Sequence, residues 1–123
     1  MKAIVRKVSS SFEKALAKYF GSGPNSLSES VKQHDAYVDK LVEFGVSVNV
    51  IESNPDYPDC CFVEDHAIVA GDSALLTNAG HDSRLGERQE VEDALNLDLN
   101  LEYMSKDARM DGGDVLRFGD MFL

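Results

Sequence analysis

The residues best suited to chemistry lie in two short acidic segments, Pro58-Asp59-Cys60-Cys61-Phe62-Val63-Glu64-Asp65 and Asp111-Gly112-Gly113-Asp114. Three carboxylates flank a short apolar run in the first, and a glycine-rich turn supplies two more in the second. A carboxylate beside strand-like apolar residues is expensive to bury unless a cation or a donor meets it. A planar cation with several donors suits such a site, and guanidinium matches carboxylate forks best. These segments therefore point to chemistry on an arginine-like substrate. A plainer reading stands beside this one. Glu64 and Asp65 also suit a solvated turn, and Asp111-Gly112-Gly113-Asp114 suits a tight turn with Asx capping.

Composition narrows the partners. A chain of 123 residues suits one domain with a modest core. With 43% hydrophobic and 28% charged residues it is globular rather than disordered. The formal net charge of -10 argues against nucleic acid or an anionic membrane as partner, because both need basic patches. It says less about a cationic ligand, since excess acid mostly solvates a surface. Met1-Lys2-Ala3-Ile4-Val5 leads straight into a strand-like segment and lacks the features of a signal peptide. No run approaches membrane-spanning length. The two cysteines, Cys60 and Cys61, are adjacent, which disfavours a disulfide between them, and no CxxC or His-Cys metal spacing occurs. No metal or cofactor is expected, and a reducing cytoplasm is the simplest compartment.

The elements that must position these residues follow from periodicity. Ala3–Val8 reads as a first strand. Ser9–Asn25 reads as a loop, a candidate flap, around the amphipathic stretch Phe12-Glu13-Lys14-Ala15-Leu16. Ser26 and Glu29 have capping-box spacing, and Val31, His34, Val38, Leu41 and Val42 recur as one face of a helix that Gly45 stops. Val46–Ile51 alternates as a strand, and Asn54–Pro58 is rich in turn residues. Two strands about Gly71-Asp72 come next, then a loop over Asn78–Ser83 and a second helix over Arg84–Leu95. Leu97, Leu99, Leu101 and Tyr103 alternate with polar residues as a half-buried strand.

The order then repeats. Val115–Leu123, turning at Gly119-Asp120, copies the hairpin that turns at Gly71-Asp72, and each copy follows an acidic motif. The two turns lie about 48 residues apart, a period typical of repeat or propeller-like architectures. The second copy stops inside its last strand, so residues 1–123 are expected to form the N-terminal part of a longer single catalytic domain.

Three motifs in order, the segment Pro58–Asp65, Ser83-Arg84-Leu85-Gly86-Glu87 and Asp111-Gly112-Gly113-Asp114-Val115-Leu116, resemble the dimethylargininases of the guanidine-modifying, or pentein, superfamily. The resemblance runs from about Ile4 to Leu123 and implies an α+β fold: a five-fold αβ-propeller of ββαβ modules, of which this chain covers about two. It implies hydrolysis of N-omega-methylated arginine to citrulline and a methylamine. A cysteine thiolate attacks the guanidinium carbon, and a histidine protonates the leaving amine and then activates water against the thiouronium adduct. Both groups would lie beyond Leu123.

By the same resemblance, Asp59, Glu64 and Asp65 fall at substrate-binding positions, with Asp65 gripping the guanidinium. Arg84 would bind the substrate carboxylate, Leu16 would sit on the flap, and Asp111 would orient the catalytic histidine. The partner implied is methylated arginine, with no nucleic acid and no membrane; the chain is also compatible with a homodimer. Two departures alter the electrostatics of one loop: Thr77-Asn78-Ala79-Gly80 replaces Thr-Arg-Pro-Gly, and Leu85 replaces a second arginine.

Other chemistry-bearing residues have plainer assignments. One of Cys60 and Cys61 should pack in a strand as a small apolar residue while the other is partly exposed, and neither is expected to be the nucleophile. His34 belongs to the covered side of its helix. His66 and His81 sit in or near the acidic loops without metal-ligand spacing. Arg84 near a helix start opposes the macrodipole, which favours a task other than capping. The same scaffold serves arginine deimination and amidino transfer, although Phe62-Val63-Glu64-Asp65 leans towards methylarginine. A non-catalytic module holding guanidinium or a divalent metal is the rival from another class; its acidic residues lack EF-hand spacing.

Overall fold

The computed structural model describes residues 1–16 and 26–123, which form two compact units, Met1–Phe62 and Val63–Leu123. Half of the loop expected over Ser9–Asn25, residues 17–25, lies outside the described residues.

The first unit is a strand–helix–strand arrangement. β1 (Lys2–Arg6) pairs in parallel with β2 (Ser47–Ile51), in a register that sets Val5 against Val50. Parallel neighbours need a crossover, and α1 (Leu27–Glu43) supplies it. The capping signal holds: Ser26 is the N-cap, and its hydroxyl accepts from the Glu29 amide. The stop holds as well, with Gly45 in the left-handed region at φ 78°. His34, Val38 and Leu41 are half-buried, as expected of that face, whereas Val31 and Val42 are exposed. The stretch Phe12–Lys14 is a single 3-10 turn.

The second unit contains a complete ββαβ module. β3 (Ala67–Ala70) and β4 (Ser73–Leu76) form an antiparallel hairpin, α2 (Arg88–Leu95) crosses over, and β5 (Asn100–Tyr103) pairs in parallel with β4. Ala74, Leu76, Ala79, Val91 and Leu95 are its buried apolar side chains. A further hairpin follows, β6 (Arg117–Phe118) with β7 (Met121–Phe122). The repeat is visible in the backbone. Gly71 and Gly119 turn the two hairpins at φ 63° and 60°, and each hairpin follows a 3-10 turn, Val63–His66 or Gly112–Asp114.

Four expectations need correction. The run Cys60–Val63, read as strand-like, is a turn leading into a 3-10 turn, where Phe62 donates to the Asp59 carbonyl. Buried Cys60 therefore packs in a turn, and Cys61 is half-buried beside it. The first strand ends at Arg6, two residues earlier than expected. The second helix does not begin as an α-helix: Asp82–Glu87 is 3-10, a geometry that eclipses residues three apart and so aligns Arg84 with Glu87. Finally, Leu97 is 78% exposed and outside any strand, because Asp98 and Leu99 both donate to the Leu95 carbonyl and close a turn.

Candidate active site

In the first unit, Asp59 is buried and its Oδ1 accepts from the backbone amide of Leu16 at 2.9 Å. A carboxylate withdrawn from water needs such donors, and this contact fixes the Leu16 backbone. The neighbouring turns are pinned in the same way. Ser9 donates to the Asn54 carbonyl and Ser11 to that of Pro55. Arg6, a residue 1% exposed, donates through Nε to the Glu52 carbonyl.

In the second unit the acidic motif and the glycine turn meet. Asp65 Oδ1 accepts from the amide of Gly113 at 3.2 Å, and Asp65 Oδ2 accepts from Arg84 Nη1. The glycines are required by this approach. A Cβ on Gly112 would stand 2.4 Å from the Glu64 carbonyl oxygen, and one on Gly113 would stand 2.5 Å from Asp65 Oδ1. Thr77 anchors the same turn from the opposite strand end, its hydroxyl donating to the Asp65 carbonyl and its amide to that of His66. The Glu64 side chain is exposed.

Behind Asp65 lies a buried charge chain. Arg84 donates through Nε and Nη2 to Glu87 Oε2, at 3.1 and 2.9 Å, and His66 Nε2 lies 2.9 Å from the same oxygen. Burial works against the charge on Arg84, but hydrogen bonds to Glu87 and Asp65 outweigh it and hold the guanidinium above its ordinary pKa. Burial works against Glu87 as well, yet hydrogen bonds from His66 and Arg84 hold its carboxyl below the ordinary carboxylate value.

Asp111 sits on the adjoining loop. Its Oδ1 accepts from the Gly80 amide at 2.9 Å, and its Oδ2 would lie 3.0 Å from a Cβ on Gly80. That loop is cross-tied: Met110 donates to the Asn78 carbonyl, the Asn78 amide group to the carbonyls of Ser105 and Ala108, and Arg109 to Ala79 and Asp82. Arg88 donates through Nη1 to the Thr77 carbonyl and to Asn78 Oδ1, so a cation lies beside this loop. No group of three metal-ligating side chains occurs among the described residues.

A family model described as "N,N dimethylarginine dimethylhydrolase, eukaryotic" matches residues 8–120. The chain belongs to this family. A dimethylarginine dimethylaminohydrolase of Streptomyces coelicolor is 33% identical over 120 residues, 97% of this chain and 46% of the relative. A solved Pseudomonas aeruginosa enzyme of the family, a mutant complexed with citrulline, superposes with a TM-score of 0.91 at 26% identity, over 98% of this chain and 48% of that one. The N-terminal domain of ArgZ, a cyanobacterial arginine dihydrolase, matches with a TM-score of 0.77 at 16% identity, a likeness of fold. The fold is the expected α+β pentein type. The chain spans about half the length of the dimethylarginine dimethylaminohydrolases it matches.

Within this family member, the structure joins Leu16 to Asp59 in one unit and Asp65 to Arg84 in the other, with Asp111 holding Gly80. Sequence reasoning missed Glu87 and the task of His66. A local signal existed for Glu87, which stands three residues after Arg84. His66 lies 21 residues from Glu87, and no periodicity links them.

Proposed function

We propose that this chain is the substrate-gripping part of a dimethylargininase, which hydrolyses N-omega-methylated arginine to citrulline and a methylamine. The observation that carries this reading is that Asp65 already holds a guanidinium, that of Arg84, while a backbone amide holds its other oxygen. Such a carboxylate can keep a substrate guanidinium planar and cationic, so that its carbon stays electrophilic.

Residues 1–123 would be the N-terminal part of one catalytic domain, a reading that the half-length matches support. A cysteine thiolate beyond Leu123 attacks the guanidinium carbon and a C–S bond forms. The bond to the methylated nitrogen breaks, and a histidine, also beyond Leu123, protonates the departing amine. Water activated by that histidine then displaces the sulfur and leaves citrulline. Asp59, Glu64 and Asp65 bind the substrate, with Asp65 gripping its guanidinium; Arg84 binds its carboxylate, and Leu16 lies at the flap position. Asp111, an acceptor on a cross-tied loop, orients the histidine. Methylated arginine is the partner. Cys60 and Cys61 are adjacent, which disfavours a disulfide between them and supports a reducing cytoplasm. No helix among the described residues is long and apolar enough to cross a membrane.

The test is steady-state turnover of monomethyl- and asymmetric dimethylarginine, with arginine as a control, by the full-length protein and two variants. Removing one partner from a desolvated ion pair costs roughly 3–5 kcal/mol, so Asp65→Asn should lower kcat/KM by about two to four orders of magnitude. Asp56→Asn, at an exposed turn position, should change it less than about threefold. Comparable values for the two variants would remove Asp65 from the site. Release of ammonia from arginine, with methylarginine untouched, would move the assignment to arginine deimination.

A further inference from the structure

The proposed reaction gives tasks to Asp65 and Arg84 but none to Glu87 and His66, whose side chains are each 1% exposed. We propose that Glu87, steadied by His66, is a positioning residue that keeps the Arg84 guanidinium oriented when Asp65 turns from Arg84 to the substrate. This inference rests on the reading of Asp65 and Arg84 given above.

In the resting structure Asp65 and Arg84 satisfy each other. A methylated arginine carries the same two groups, a guanidinium and a carboxylate, so it can take the place of either partner. Binding then exchanges an internal ion pair for two intermolecular ones. Asp65 is the member better placed to turn, because its side chain is 18% exposed against 8% for Arg84. Arg84 cannot be left as an uncompensated buried charge. Glu87 prevents that: it receives the Nε and Nη2 side of the guanidinium and directs Nη1 towards the place where Asp65 stood. A planar fork held along one side keeps its orientation, as a lone ammonium would not.

His66 fixes the same Glu87 oxygen. Its other ring nitrogen, Nδ1, is buried and has no hydrogen-bond partner among the described residues. A buried polar atom without a partner costs stability, and an apolar side chain of similar size would avoid that cost. The histidine is therefore poorly explained as packing and well explained as the donor that holds Glu87.

Kinetics of the full-length protein test this with monomethylarginine and its carboxyl-amidated analogue. Glu87→Gln keeps the shape and removes the charge. It should raise KM for the acid substrate about 10- to 100-fold, the range of a weakened charge-assisted contact, with kcat within about threefold. KM for the amidated analogue should move less than about threefold, because the analogue lacks the group that Arg84 would bind. In an Arg84→Ala background, Glu87→Gln should add nothing. His66→Gln, which retains a donor, should show the same pattern more weakly, and it carries the test if Glu87→Gln does not fold. Equal KM increases for both substrates, or additivity with Arg84→Ala, would overturn the positioning role. Wild-type protein that turns over neither substrate would instead overturn the proposed function, and this inference with it.

Discussion

Gly113 and Asp65 meet so closely that a single carbon decides their geometry: the Gly113 amide donates to Asp65 Oδ1, and a Cβ on Gly113 would lie 2.5 Å from that oxygen. Gly113→Ala should therefore displace the carboxylate and leave the turn in place, because a side chain can swing away. Gly112→Ala meets the Glu64 carbonyl at 2.4 Å and that of Ala67 at 3.0 Å, which are backbone atoms and cannot swing. The expected outcome is a split. Gly112→Ala should lower stability by about 1–3 kcal/mol, the cost of overpacking, while Gly113→Ala should mainly reduce substrate affinity. Denaturant midpoints and ligand titration separate the two, and a larger stability loss at Gly113 would contradict the geometry.

The Asp59–Leu16 contact predicts a local effect. Asp59→Ala removes the acceptor of the Leu16 amide, so exchange at that amide should quicken. Asp59→Asn keeps an acceptor oxygen and should retain much of the protection, because the neutral hydrogen bond is only about half as strong as the charged one. Exchange measured at Leu16 by NMR is the check. Unchanged protection in Asp59→Ala would show that another group holds the Leu16 amide.

Much of the scaffold was legible because its signals are local. The Ser26–Glu29 spacing marks the start of α1, and the glycines at 71 and 119 mark hairpin turns, since each needs only a few neighbouring residues. The strand assigned from Leu97 begins only at Asn100 for the same reason, because a turn closed on the Leu95 carbonyl can carry the same alternation as a strand. The acidic residues were legible as a group, but their partners were not. Nothing near Asp65 in sequence indicates that its charge would meet Arg84 and the Gly113 amide, and nothing near His66 indicates Glu87. Those pairings depend on how the module closes.

Acid should expose the contribution of Glu87. Its carboxyl is held below the ordinary value despite burial, chiefly by His66 and Arg84. A carboxyl depressed in the folded state contributes stability that is full above its unfolded pKa and is lost as pH falls through the folded one. Arg84, raised above an already high value, stays charged throughout this range. The stability advantage of wild type over Glu87→Gln should thus be constant near neutrality and shrink below the ordinary carboxylate range. Urea midpoints for both proteins at pH 7 and pH 3 measure this. An advantage that grows in acid would mean that Glu87 is protonated in the native state.

Arg84 should couple more strongly to Glu87 than to Asp65. Glu87 is 1% exposed and accepts from Arg84 Nε and Nη2, whereas Asp65 is 18% exposed and accepts from Nη1. Desolvation strengthens attraction and raises the cost of leaving a charge alone, so the more buried, doubly bonded pair should dominate. Double-mutant cycles on stability, combining Arg84→Lys with Glu87→Gln and separately with Asp65→Asn, give the two coupling energies. The expected values are about 2–3 kcal/mol for Glu87 and about 1 kcal/mol for Asp65, within the range measured for residues in contact. Lysine is the informative replacement, because one ammonium preserves the charge but cannot span both carboxylates as the fork does. Equal couplings would mean that Asp65 is as firmly bound to Arg84 as Glu87 is. It would then be unable to turn to a substrate guanidinium without breaking the buried pair outright, and the guanidinium would have to be gripped elsewhere, with Glu64 the nearest carboxylate in sequence.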